Sequence, residues 1–469
     1  MGAVVLVVIF FVAAFAASAV NLAVYRLRSQ PMGLSPWNGV ANRFFEFLGF
    51  TTVPTFPEEA PSKKKRKGSS VKKLRQHPER TWLDMLPIIG WWRISREEQL
   101  RGKRFWIRPF LVELALPIFL VWLYWWQVLE QAAVPSMATL PFGQMPTTAL
   151  VDFFIASAIL TLFMAAASLI DFDEFEIPDG VIIPGTVAGV FWACLTQKTA
   201  LATVVGPPIK AISLDFVDFS SPNKWPEFLT QISWLSLALG IGCVCLWCFA
   251  LMPRIWRTSR GFKFAVWLFF ARLRRARFTI LMLGIATAGS LAVWAMWQFS
   301  AEETWRALMS SLLGMISGAL IIWTVRIVAG MTMGLEAMGF GDVTLMAMIG
   351  AFLGWQACVF VFFIAPFFAL VPAIASAISN KTTLQEVPYG PFLCLGALSV
   401  MVFWRAIWEW GFLMFATTWF LPLVLALCVP MLAILLGVWR LARYLLTREA
   451  DQSDERQDSS SATRDVYDG

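Results

Sequence analysis

Charge is scarce in this chain, and histidine is almost missing. Of 469 residues, 15% are charged and a single one, His77, is a histidine. Soluble domains carry about 25% charged and about 45–50% apolar residues, whereas 58% of this chain is hydrophobic. That balance excludes an ordinary soluble domain. One histidine excludes a histidine-rich zinc site. Its setting, Arg75-Gln-His-Pro-Glu79, lies far from any apolar frame and gives a Ser-His-Asp triad no support. The seven cysteines lie within or beside apolar runs, and residues 26–108 contain none. Nothing suggests a disulfide framework. Cys243, Cys245 and Cys248 stand in Ile-Gly-Cys-Val-Cys-Leu-Trp-Cys-Phe, a membrane-helix context that suits small packing residues rather than metal ligands. Period-two alternation is missing too, which excludes barrel strands.

What is present are long unbroken apolar runs, near 3–25, 110–130, 148–170, 181–200, 229–252, 279–298, 306–328, 343–355, 357–378, 391–409 and 412–439. Lipid admits only helices or closed barrels. The expected fold is therefore all-α, a polytopic transmembrane helix bundle of about 11 spans with one large cytoplasmic loop. The amino terminus lacks the positive start of a cleaved signal peptide, so 1–25 reads as a first transmembrane helix. Loop 26–108 holds Lys63-Lys-Lys-Arg-Lys67 and loop 253–278 holds eight further Lys and Arg residues, whereas 131–147 has none. The positive-inside rule puts the basic loops in the cytoplasm. The basic run suits anionic lipid headgroups as partners. No nucleic-acid-binding fold accompanies it, and nucleic acid is not an expected partner. Residues 441–469 are polar and read as a disordered tail.

Two aspartates stand at span ends: Asp171, in Asp171-Phe-Asp-Glu-Phe-Glu-Ile-Pro-Asp179, and Asp342, in Gly339-Phe-Gly-Asp342. Counting spans from the basic loops puts both on the cytoplasmic side. Carboxylates at span ends are often solvated caps. Asp179 fits an N-cap before Gly180, Asp152 fits a cap, and Asp173, Glu174 and Glu176 fit plain loop charge. Gly339 and Gly341 set Asp342 apart, because they remove side-chain bulk where a peptide could approach a catalytic group. Two close carboxylates share a proton, so one takes a proton from water while the other polarises the scissile carbonyl. This chemistry needs no histidine, metal or covalent nucleophile. The helix macrodipole favours charge on Asp342, at a helix start, over Asp171, at a helix end, making Asp342 the expected base.

These motifs resemble those of the bacterial type IV prepilin peptidases, a family of Gly-x-Gly-Asp aspartic membrane proteases. Leu169 to Asp179 is similar to the family's first catalytic motif. Glu336 to Trp355 is similar to its second, and Pro388 to Ala397 to a later segment. Asn21 to Arg26, Asp84 to Trp91, Leu100 to Arg104 and Arg108 to Glu113 fit as well. The resemblance implies leader-peptide removal from prepilins or pseudopilins at the cytoplasmic face of the bacterial inner membrane. Asp171 and Asp342 would be the catalytic pair, with Gly339, Gly341, Glu336, Pro178 and Asp179 as supporting motif residues. The acidic group Asp173, Glu174 and Glu176 would attract a basic leader. No cofactor is needed for proteolysis. Many members also methylate the new amino terminus with S-adenosylmethionine.

The chain departs from the family in three places. The first loop lacks the Cys-x-x-Cys pairs of many members, which excludes a thiolate zinc site there. Thr344 replaces a usual lysine, which removes a charge near the pair. Residues 196–305 read as inserted spans and a basic loop, between membrane helices 109–195 and 306–440. An ion-coupled transporter, a non-catalytic pilus or secretion scaffold and a presenilin-like protease are the alternative readings. The absence of an internal repeat and the span-end position of the aspartates weigh against a proton relay.

Overall fold

The computed structural model describes residues 2–28, 35–47, 82–98, 103–135, 147–196, 201–205, 213–222, 225–252, 277–333, 339–378 and 388–417, with scattered positions between 423 and 437. The basic run at Lys63, His77, Glu336, loop 253–276 and the 441–469 tail lie outside these residues.

The described chain is helical, as its apolar runs require. In order, the α-helices of six or more residues are α1 (Gly2–Arg26), α2 (Asn38–Phe47), α3 (Ile89–Ile94), α4 (Ile107–Tyr124), α5 (Thr147–Glu174), α6 (Asp179–Thr196), α7 (Trp234–Leu251), α8 (Arg277–Phe299), α9 (Glu302–Met333), α10 (Phe340–Ile378), α11 (Gly390–Val402) and α12 (Trp404–Ala416). Among the described residues eight helices are long and apolar enough to cross a membrane, and α11 with α12 makes a ninth candidate bent by 84°. The last expected span, 412–439, begins inside α12 and beyond 417 is described only at scattered helical positions.

The expected pair of runs 343–355 and 357–378 appears as α10, interrupted at Gly354, where φ is +83°. The interruption is a reversal. A Cβ placed on Gly350 would lie 3.0 Å from Cys358 Sγ, yet eight residues of straight helix span about 12 Å. Glycine is needed there because L side chains are strained at that φ.

One element was not expected. Ala202–Val205 and Ser213–Phe216 pair as antiparallel strands β1 and β2, with Thr203 opposite Asp215. Four-residue strands are too short to show a period against long apolar runs. The hairpin leads into residues 217–221, which cover the turn at Gly354. Trp355 Nε1 donates to Phe219 O (2.8 Å), and Gln356 Nε2 donates to Asp218 O (2.7 Å) and Ser221 O (3.1 Å).

The main core gathers α5, α6, α10 and α11, with parts of α1, α9 and α12. A second core joins α7, α8 and α9. The two meet along α9 and α10, which touch backbone to backbone: a Cβ on Gly314 would lie 2.2 Å from Gly350 O. Small residues permit such an approach in lipid.

Candidate functional site

Asp171 lies in the last turn of α5, whose end is set by Phe175. That residue adopts φ +57°, and its N–H donates to Asp171 O at 2.9 Å. Pro178 follows and cannot continue a helix. Its carbonyl accepts from Val181 N (3.0 Å), opening α6 with Asp179 as first residue. Asp342 is in the first turn of α10. The two aspartates therefore occupy opposite helix ends, as the sequence order implied.

Both side chains are buried, Asp171 at 5% and Asp342 at 7% exposure. They converge on one place, and Gly390 and Ile177 bridge them. A Cβ on Gly390 would lie 2.5 Å from Asp171 Oδ2 and 3.0 Å from Ile177 Cδ1. A Cβ on Gly341 would lie 3.1 Å from Ile177 Cβ. Asp171 is within electrostatic reach of Asp342, and Cys394 of α11 is within reach of both. The Gly390 amide faces the Asp171 carboxyl. Oδ2 nevertheless has no hydrogen-bond partner of normal geometry among the described residues. Buried polar atoms are normally satisfied, so an unpaired oxygen in a buried carboxyl pair marks a place for a reactant.

The surroundings of Asp342 correct one expectation. Thr344 does leave position 344 uncharged: its hydroxyl donates back to Gly341 O at 2.9 Å. A cation is nonetheless supplied from elsewhere. Arg326 of α9 lies 5.6 Å from the Phe340 ring centroid and within electrostatic reach of Asp342. Tyr389, just before α11, is also a neighbour of Asp342. Burial, and then the Asp342 charge, push its phenol up to about 12, so it stays neutral and able to donate.

The acidic group after Asp171 divides. The Asp173 carboxylate is taken by the guanidiniums of Arg28 and Arg108, and Arg108 also donates to Leu169 O at 2.9 Å. Asp173 thus ties α5 to Arg28, just past the end of α1, and to α4, so the carboxylate expected to meet a leader already faces two guanidiniums. Glu176 stays exposed and Glu174 half-buried. Asp179 is exposed and is the first residue of α6, one position inside the cap expected of it, and Gly339 is exposed with no atom closer than 3.9 Å to an added Cβ.

Another buried carboxylate, outside the pair, braces the bundle. Glu113 accepts from Ile88 N (2.7 Å), Trp91 Nε1 (2.9 Å) and Asn21 Nδ2 (3.2 Å). It thereby fixes α3 against α1 and α4. Asp84 holds Arg93 (2.9 Å) and Arg96 (2.8 Å) within the same segment. Sequence reasoning assigned no site role to Gly390, Tyr389, Arg326 or Ile177. Only the Pro388-Tyr-Gly-Pro punctuation hinted at the first two, and nothing local marks Arg326.

Comparison with known proteins bears on half of this site. Residues 264–374 match the type IV leader peptidase family. The match begins inside the segment read as an insertion and includes Asp342 but not Asp171. The "Prepilin leader peptidase/N-methyltransferase" of Burkholderia pseudomallei (strain K96243) is 31% identical over 101 residues, 21% of this chain and 33% of the relative. The protein of the same name from Escherichia coli (strain K12) is 28% identical over 106 residues, 23% of this chain and 47% of the relative. That from Pectobacterium carotovorum subsp. carotovorum is 29% identical over 111 residues, 24% and 40%. The chain thus spans less than half the length of these curated relatives. No solved structure matches. The stretch that carries Gly339, Gly341 and Asp342 is accordingly similar to the type IV leader peptidase family, and the resemblance read from the motifs stands on that stretch.

Proposed function

We propose that this chain is a membrane-embedded aspartic endopeptidase that removes leader peptides from type IV prepilins or pseudopilins. The observation that carries the reading is the convergence of Asp171 and Asp342, from two helix ends remote in sequence, onto Gly390 and Ile177 with Asp171 Oδ2 left unsatisfied. The pair acts as one acid–base unit. One carboxylate takes a proton from water as its oxygen attacks the scissile carbonyl, and the other gives a proton to the carbonyl oxygen. Collapse of the tetrahedral intermediate returns a proton to the leaving amine. Arg326 and Tyr389 set the field and the hydrogen bonding around Asp342. Gly390 and Gly341 keep side-chain bulk away from where a substrate backbone would lie.

The basic loops support a cytoplasmic site in a bacterial inner membrane. Exposed Glu176, with Glu174 beside it, is where a basic leader would meet acidic charge. The test is co-expression with a candidate prepilin, following leader removal in the parent, Asp171→Asn and Asp342→Asn. Removal in the parent and its loss in both variants is the expected result, and cleavage that survives either substitution overturns the dyad. Mass measurement of the mature amino terminus reports separately on methylation from S-adenosylmethionine, the activity that the relatives' names add.

A further inference from the structure

A groove of about 750 Å³ opens between α4 and α5, on the outside of the bundle. Its walls are apolar, formed by residues such as Leu111, Ala115, Ala165 and Leu169, and its upper end carries Arg104 and Arg108. The groove does not belong to the dyad. Ala165, Ser168 and Leu169 follow i, i+3, i+4 spacing along one face of α5. Met164, Ala167 and Asp171 are buried on another face, in the core.

Its dimensions fit one leaflet. From Ile107 to Leu116 the groove runs about 14 Å along the helix, roughly half the ~30 Å hydrocarbon thickness. Its mouth is cationic on balance. The charged residues that line it are the cations Arg104 and Arg108; Arg108 pairs with Asp173, which also holds Arg28, and Glu98 accepts the Arg104 amide at 2.5 Å. Arg104 is exposed and, unlike Arg108, is not tied to Asp173. An apolar slot one leaflet deep beneath a basic rim has the charge and length pattern of a phospholipid with an anionic headgroup. A basic leader peptide would be repelled at the same rim.

We propose that this groove is a binding site for an anionic phospholipid, with its phosphate at Arg104 and Arg108 and an acyl chain along Leu111, Ala115 and Ala165. The site is independent of the peptidase reading. A lipid seated there packs against the back of the helix that carries Asp171.

The test is lipid retention by the full chain. The protein is reconstituted in phosphatidylcholine bilayers with a minor fraction of phosphatidylglycerol, re-extracted in detergent and weighed intact by native mass spectrometry. Phosphatidylglycerol should be retained in preference to phosphatidylcholine. Arg104→Gln should reduce that retention about fivefold, the worth of one surface cation facing an anionic headgroup. Ala115→Phe keeps every charge, fills the slot and should reduce it as well. Equal retention of the two lipids overturns the proposal, as does parental retention in either variant. Loss of prepilin cleavage in Ala115→Phe with phosphatidylglycerol retention intact would give the groove to the substrate instead.

Discussion

The two ends of the α5–α6–α10–α11 core are built from similar materials and left in different states. At the Gly354 end, the groups that close the turn are paired, although Trp305 Nε1 in the neighbouring core has no partner among the described residues. Asp218 accepts from Ser220 N (3.0 Å) and from the Ser220 and Ser221 hydroxyls (both 2.9 Å), and its carbonyl accepts from Gln356. Phe219 N donates to Ser310 Oγ at 3.0 Å. At the Asp342 end, about 18 Å away along the helix, two carboxyls are buried together and Asp171 Oδ2 has no partner among the described residues. Satisfied polar groups in a buried turn hold structure together, whereas unsatisfied ones cost stability and persist where they serve a reaction. The contrast predicts that substitutions at one end remove activity and at the other remove stability.

The largest effect is expected at the dyad. Asp171→Asn or Asp342→Asn should each lower prepilin cleavage by about 10²–10⁴, the usual worth of a positioned acid or base. The double variant should lose little more than either single one, because the two residues work as a unit. Thermal unfolding should not occur earlier in either variant, since a neutral amide is cheaper to bury than a carboxyl pair. A lower melting temperature with retained cleavage would invert the contrast and make the aspartates structural.

Gly390 tests the same end by geometry. Its missing Cβ leaves the space that Asp171 Oδ2 occupies, 2.5 Å from where a methyl would sit. Gly390→Ala must displace the carboxyl or α11, and a displacement of about 1 Å costs on the order of 10²-fold in rate. Overpacking should also cost about 1–3 kcal/mol. Gly339→Ala is the control, since its nearest neighbour is 3.9 Å away, and it should cleave nearly as the parent does. Equal losses in the two variants would mean that the motif glycines matter for backbone freedom rather than space.

How far these features were legible follows from their range. Helix ends are local: Phe175 and Pro178 close and reopen the chain around Asp171, and Gly341 with Asp342 opens α10, so both aspartates could be placed from the sequence. A break between runs at 343–355 and 357–378 was expected, and it falls at Gly354, inside the first run. What could not be read were contacts between segments far apart. Gly390 meets Asp171 across more than two hundred residues, and Arg326 reaches Asp342 from another helix. Asp173 looked free for a ligand because its partners, Arg28 and Arg108, are distant in sequence. The β hairpin escaped because four-residue strands carry no usable period.

At the Gly354 end the expected losses are in stability. Gln356→Leu removes the donor that serves Asp218 O and Ser221 O and leaves two carbonyls without it. The cost should be about 1–3 kcal/mol, read as earlier unfolding in detergent, with the cleavage rate per folded molecule unchanged. A parental melting curve with reduced cleavage would mean that this end communicates with the dyad along α10.

The smallest effect is expected at the turn itself. Gly354 has φ +83°, and a Cβ there would meet only Gln356 Oε1 at 3.4 Å. Space is therefore not the obstacle, but with ψ at 172° the backbone lies in a region that essentially only glycine adopts, and Gly354→Ala should cost about 1–3 kcal/mol. The turn is closed by Trp355 and Gln356 on either strand of the 217–221 loop, so these bonds should hold α10 reversed while the strain is absorbed. Gly354→Ala should therefore unfold slightly early and cleave as the parent does. Combined with Gln356→Leu, which removes part of that closure, the loss should exceed the sum of the two, because neighbouring changes couple. Strict additivity in melting temperature would show that the loop and the turn are independent, and the satisfied end would then be two separate features rather than one clasp.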